Sequence, residues 1–240
     1  MAAGRIRLYL DHQFGAGQPV PLTPDQAHYL FGVMRQPVGA AVLGFNGRDG
    51  EWRLTVAEAG RRGGLLLAEA QVRPQVLPPD LWLLFAPVKK ARTDFIVEKA
   101  VEMGASRILP VQTAFTNSER IRQDRLQAHA VEAAEQCGAT WVPVVEDLAR
   151  LDRLLDGWPA RRRLGFCDET AAPGGGFPPD APGPWAILIG PEGGFSDSER
   201  RRLAQEPFVT QISLGPRILR ADTAAVAALT LWQTTLGDWQ

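Results

Sequence analysis

The sequence predicts an α/β protein in which a largely parallel sheet flanked by helices follows a small β barrel. Three observations predict it. From Leu81 onward, short apolar runs alternate with stretches of helical periodicity, the pattern of strand–helix–strand units whose strands run parallel. Ahead of Leu81, short alternating runs are punctuated by turn residues, as in small barrels and sandwiches. Between the two patterns, Arg73 to Asp80 carries Pro74, Pro78 and Pro79 and reads as a linker. The expected domains are therefore 1–73 and 74–240.

Each element has its own signal. Ile6 to Leu10 alternates like a strand. Thr23-Pro24-Asp25-Gln26 is a capping box with proline at the first helical position, which predicts a short helix to about Met34. Val38 to Phe45 and Trp52 to Val56 flank Asn46-Gly47, a strong hairpin signal. Gly63-Gly64 is expected to turn the chain into a third run, Leu65 to Val72. In the second part, Leu81 to Ala86 reads as a buried strand, and Thr93 to Met103 as a helix stopped by Gly104. Arg107 to Val111 is a strand, Arg122 to Cys137 a helix stopped by Gly138, and Leu164 to Cys167 a strand. Pro173 to Pro184 is a loop rich in glycine and proline. The chain then continues with a strand over 185–189, a helix capped by Ser196 and Glu199, a strand over 209–214 and a helix from Asp222 to Leu236.

Composition bounds the function classes. Apolar content of 45% and charged content of 22% fit a soluble globular chain. No run reaches membrane-span length and the first residues lack a signal-peptide pattern, so a cytoplasmic protein without membrane partners is expected. Cys137 and Cys167 make neither a disulfide framework nor a metal cluster, and no metal is expected. The net charge is -1, yet residues 1–75 carry 8 arginines against 6 acids, which permits a local contact with a polyanion. His12, His28 and His129 stand isolated and read as structural or solvated.

Two loops concentrate the chemistry. Ile189 ends a strand, and Gly190-Pro191-Glu192-Gly193-Gly194 leads into the next helix. Leu214 ends the following strand, and Gly215-Pro216-Arg217-Ile218-Leu219-Arg220-Ala221-Asp222-Thr223 leads into the last helix. In open α/β sheets, ligands bind beyond the carboxyl ends of strands. Glu192 opposes a phosphate, and no Gly-Lys-Ser/Thr follows, so this is not a nucleoside-triphosphate loop. A ligand with a cationic centre, or an adenine read by backbone amides, fits better. Ile218 and Leu219 can cover an apolar ring, and Arg220 offers a planar fork.

Together, Gly190-Pro191-Glu192-Gly193-Gly194-Phe195 and Leu214 through Ala224 resemble the 16S rRNA uridine-N3 methyltransferase family, a branch of the knotted SPOUT methyltransferases. Further matches follow in order. His28 with Val33-Met34-Arg35 resembles a signature of that family's PUA-like barrel. Lys89-Lys90 through Phe95, Lys99 and Glu102-Met103-Gly104 resembles its early strand–helix motif, and Glu132 through Gly138 its middle helix. The chain departs from the pattern at Gly32, Ala139 and Trp141, where basic residues are common, and at Ala221-Asp222, which replaces a usual Thr-Glu.

The resemblance implies a SPOUT domain with a C-terminal trefoil knot behind a PUA-like barrel, and a homodimer. It implies S-adenosylmethionine as cofactor, held by Ile189, Gly190, Glu192, Gly193, Gly194, Leu214, Gly215, Ile218 and Leu219. The substrate implied is N3 of a uridine in 16S rRNA of the small ribosomal subunit. Arg220 and Asp222 become the expected catalytic pair, and Arg7, Arg35, Lys89, Lys90 and Arg92 the expected phosphate contacts. The alternative is a non-catalytic RNA-binding or ribosome-assembly protein that keeps the fold.

Overall fold

The computed structural model describes residues 6–117, 120–170 and 174–239. The chain forms two compact units, one running to Leu77 and completed by Ala134–Trp141, the other made of Pro78–Ala133 and the residues from Val142 onward.

The first unit contains β1 (Arg7–Tyr9), β2 (Pro19–Pro21), α1 (Pro24–Ala27), β3 (Ala41–Phe45), β4 (Glu51–Gly60) and β5 (Gly63–Arg73). Its five strands form one sheet in the order β1-β3-β4-β5-β2. β1 lies parallel to β3, and the other pairs are antiparallel. Leu8, Val20, Val42, Leu54, Val56, Leu66 and Ala68 point to one side and close over Leu10 and Leu30 as a buried core. The sequence did not announce β2, because Pro19 and Pro21 flank Val20; prolines lack the N–H of an inner strand but are tolerated at a sheet edge, where β2 sits.

The turns differ from the sequence reading in instructive ways. Asn46-Gly47 does not form a two-residue hairpin turn. Strands β3 and β4 are joined by five residues, 46–50, and Asn46 organises them with its side chain. Its Oδ1 accepts from the backbone N–H of Arg48 and Asp49 at 2.9 and 2.8 Å. Gly63-Gly64 belongs to β5, and the turn is Arg61-Arg62. Gly64 is required by close packing, since a Cβ there would lie 2.5 Å from the Phe31 ring. The Thr23 capping box forms, but the helix is α-helical only to Ala27; His28–Val33 widen into a π-helical segment, and Arg35 follows at φ 52°.

The second unit contains β6 (Leu81–Phe85), α2 (Lys90–Glu102), β7 (Arg107–Gln112), α3 (Gln123–Cys137), β8 (Val144–Val145), β9 (Ala149–Arg150), α4 (Leu151–Asp156), β10 (Arg163–Cys167), β11 (Trp185–Ile189), α5 (Asp197–Gln205), β12 (Val209–Ile212) and α6 (Ala221–Thr235). The last turn of α3, from Ala134, is part of the first unit. The expected parallel sheet is present, in the order β12-β10-β11-β6-β7-β8, with β9 also on β7. Every strand pair in it is parallel. β11 is buried at all five positions, as an apolar central strand should be.

Three elements here were not legible. β8, β9 and α4 are two to six residues long and are shaped by their neighbours rather than by their own periodicity. α2 begins at Lys90, three residues ahead of Thr93. The strand expected over 209–214 stops at Ile212, which releases Ser213 and Leu214 into the following loop. Of the expected 173–184 loop, Pro173 lies outside the described residues. No described helix is long and apolar enough to cross a membrane.

α6 packs along α2 and is tied to its far end. The fully buried Gln233 donates from Nε2 to the Met103 carbonyl at 2.6 Å and accepts from the Asp238 N–H at 3.0 Å. Gly104, at φ 77°, fits here for two reasons: the left-handed backbone, and the Gln233 amide 2.8 Å from where a Cβ would stand.

Candidate active site at the ends of three strands

Because β10 lies between β11 and β12, the loops after all three strands meet at one edge of the sheet. They enclose a pocket. One wall is Cys167, Asp168 and Glu169, the second is Ile189–Glu192 with Gly194 and Phe195, and the third is Ser213–Gly215 with Arg217–Leu219; Ala221 and Ala224 of α6 close the floor. Eight of the nine residues expected around a cofactor line it. Gly193 does not: a Cβ there would meet Phe115, 3.2 Å away, so this glycine faces the loop after β7.

The second wall is packed from behind. The Gly194 N–H donates to the Pro191 carbonyl at 2.9 Å, which makes a tight turn of 191–194. Phe195, 2% exposed, folds under Gly190 and meets Phe166 edge to face at 4.9 Å. A Cβ on residue 190 would sit 2.6 Å from the Phe195 ring, so glycine is imposed by that approach. Ser196 then caps α5 in a capping box with Glu199. The other oxygen of Glu199 accepts from the Ala114 N–H at 2.8 Å, which ties this wall to the loop after β7.

The first wall was missed by sequence reasoning, since nothing in Cys167-Asp168-Glu169 tells that β10 lies between the other two strands. Asp168 is held by Arg200 of α5 at 2.9 and 3.2 Å and by Thr170 at 2.6 Å. Burial pushes the Asp168 carboxyl up, but the hydrogen bonds and charge of Arg200, with Thr170, outweigh it and leave the pKa below the usual carboxylate range. Burial raises the Cys167 thiol to about 12, so it stays neutral and unreactive at neutral pH.

The third wall is exposed. Ile218 is 81% accessible, and no described atom lies within 4 Å of a Cβ built on Gly215. The pocket volume is about 80 Å³, below the roughly 300 Å³ at which small-molecule sites begin. A roomier hollow of about 500 Å³ lies among the end of β7, α4 and α5. Its Arg150 and Arg202 are tied to Asp152 and Asp156, and it has no glycine-rich backbone wall, so it is the weaker candidate.

At the pocket mouth, Arg92 of α2 bridges two acids. It pairs with Glu192 of the second wall, and its Nε lies 3.9 Å from Asp222 Oδ2 at the start of α6. Asp222 also accepts from the Thr223 N–H at 3.0 Å. Arg220 is the N-cap residue of α6 and is exposed; its carbonyl accepts from the Ala224 N–H at 2.7 Å, and its guanidinium has no ion pair with a described residue. Neither Arg220 nor Asp222 lines the pocket itself; of the cations on this loop, Arg217 does.

The five expected phosphate contacts part company. Arg7 is a correction: its side chain is 12% exposed and its guanidinium is spent on Glu51 at 2.6 Å and on the carbonyls of Ala134, Glu135 and Ala139 at 2.7 to 2.9 Å. It braces the first unit. Arg92 is occupied by the two carboxylates. Arg35, Lys89 and Lys90 are exposed. Among the described residues no group of three metal-ligating side chains occurs. His129 lies between Asp94 and Glu98, 3.7 and 3.3 Å away, on helices α2 and α3.

Fold and pocket define an RNA-modifying class. Residues 75–233 match the family model described as an RNA methyltransferase domain. Comparison over the whole chain narrows this. The ribosomal RNA small subunit methyltransferase E of Synechocystis sp. is 30% identical, over 88% of this chain and 71% of its own. A crystal structure of the corresponding enzyme from Neisseria gonorrhoeae bound to S-adenosyl methionine superposes with a TM-score of 0.89 at 25% identity, covering 98% of this chain and 100% of that one. A methyltransferase of Legionella pneumophila, in complex with bound SAM, gives 0.88 at 26% identity over 98% and 100%. The chain belongs to the ribosomal RNA small subunit methyltransferase E family.

Proposed function

We propose that this protein methylates N3 of a specific uridine in 16S rRNA, using S-adenosylmethionine bound in the pocket at the ends of β10, β11 and β12. The observation that carries the reading is the pocket itself: backbone-rich walls, an apolar cover in Ile218 and Leu219, and a charged lining of Asp168, Glu169 and Glu192 against Arg217. That donor set suits an uncharged adenosine and a cationic sulfur, and would repel a phosphate. The cofactor supplies a methyl group on a positively charged sulfur.

The residues of the chain provide the rest. The glycine-rich wall fixes the position of the donor, and in-line positioning supplies much of the rate in such a transfer. As the new N3–methyl bond forms, the C–S bond breaks and the N3 proton must leave. Arg220, uncommitted and exposed, stabilises charge on the uracil carbonyls. Asp222, two residues further on in the first turn of α6 and held near Arg92, takes the proton or orients Arg220. Arg35, Lys89 and Lys90 contact phosphates, Arg35 from the first unit, which we read as a PUA-like barrel. The proposal includes a trefoil knot in the second unit, a homodimer and a cytoplasmic site of action on the small subunit.

The test is rRNA from cells lacking the protein, analysed by mass spectrometry together with calorimetry of S-adenosylmethionine on the purified chain. One missing N3-methyluridine and saturable cofactor binding are expected. Binding with no missing methyl group would refute the assigned reaction; no binding at all would leave a fold that has lost its chemistry.

A further inference from the structure

We propose that a groove on the second unit, lined by Lys90, Arg120, Arg122 and Arg125, grips the phosphate backbone of the RNA substrate. The inference rests on RNA being the substrate and adds where that RNA lies.

The groove has a volume of about 350 Å³ and is formed by the loop after β6, the first turn of α2 and the approach to and first turn of α3. Four cationic side chains line it, and among the described residues no carboxylate does. This is a steep local excess in a chain whose net charge is -1. The 500 Å³ hollow makes the contrast: its Arg150 and Arg202 share the walls with Asp152 and Glu199, so it is neutralised from within.

Three of these cations, Lys90, Arg122 and Arg125, carry the argument. Asp94 holds Arg125 at 2.7 Å from behind, which fixes the guanidinium without placing an acid in the groove. Arg122 pairs with Asp124 at 2.7 Å, but both side chains are largely in water, at 74% and 66% exposure. Water screens a pair so exposed, so a phosphate competes with Asp124 for the guanidinium. Lys90 is exposed at the rim.

The start of α2 adds an independent argument. A helix N-terminus is the positive end of the peptide dipole and favours acids. α2 instead opens with Lys89, Lys90 and Arg92, has no acid in its first turn, and has no side chain capping it. Local charge and helix dipole are in conflict there, and an anion in the groove relieves it. Arg92, two residues beyond Lys90, turns to Glu192 and Asp222. A backbone phosphate in the groove therefore lies beside the same helical turn that reaches the pocket mouth, which suits a nucleotide flanking the target base.

The experiment uses the full chain and its Lys90→Ala/Arg122→Ala double variant, with small-subunit rRNA from cells lacking the protein as probe. Binding is measured over a range of salt. Each lost phosphate contact lowers the slope of log affinity against log salt by about 0.7 to 0.9, so the double variant should lose about 1.4 to 1.8. Its S-adenosylmethionine affinity, read by calorimetry, should match the wild type and so exclude a folding defect. An unchanged slope overturns the proposal. So does saturation of the groove by inorganic phosphate with RNA binding unaffected, which would make it a small-anion site. If the chain binds rRNA with the predicted slope change but transfers no methyl group, the groove stands and the assigned reaction falls.

Discussion

The two loops that face each other across the pocket are built on opposite principles. The 190–196 loop is packed from beneath by Phe195, hydrogen-bonded within itself and stapled by Glu199 to a neighbouring strand end. The 213–220 loop presents Ile218 to water and has open space around Gly215. On the proposed reading, the buried loop fixes where the cofactor sits, and the exposed one supplies its cover and Arg220.

The largest expected effect tests the exposed loop. Arg220→Ala should slow methyl transfer roughly a hundredfold, about 3 kcal/mol of transition-state stabilisation, with cofactor affinity unchanged. A near-wild-type rate at saturating cofactor would remove Arg220 from the chemistry. Next comes the packed loop: Gly190→Ala drives a methyl group into the Phe195 ring and should cost about 1 to 3 kcal/mol in denaturant unfolding. Equal stability of variant and wild type would show that the wall is not rigid.

A smaller effect separates the two sides. Ile218→Ala should change stability by less than about 0.5 kcal/mol, since the side chain is 81% exposed. It should still weaken S-adenosylmethionine binding about tenfold, near 1.4 kcal/mol, through the lost cover. The last prediction concerns pH. Asp168 is depressed below its unfolded value, so its contribution is present above the ordinary carboxylate range and is lost as pH falls through the lower folded value. Asp168→Asn should flatten the acid limb of a stability–pH curve; a limb of unchanged steepness would assign acid sensitivity to other groups.

Much of this was legible because local chemistry and tertiary role coincided. Ile187-Leu188-Ile189 reads as a buried strand and is one, and Ser196 with Glu199 reads as a capping box and is one. The 190–194 and 214–222 segments could be matched to a pocket because glycine, proline and arginine at strand ends are unusual together. What escaped was set by strand order. Cys167, Asp168 and Glu169 belong to the pocket only because β10 lies between β11 and β12, a long-range fact without a local signature. Arg7 escaped for a similar reason: its partners are carbonyls more than a hundred residues away. The π-helical widening after Ala27 also has no period to betray it.

α2 and α6 are joined like a ladder with a rung at each end, Arg92 to Asp222 at the top and Gln233 to Met103 at the bottom. A slip of α6 by one turn, about 5.4 Å, would break both rungs together. The position of Asp222 along α2 is thereby set partly by an amide eleven residues further along its own helix.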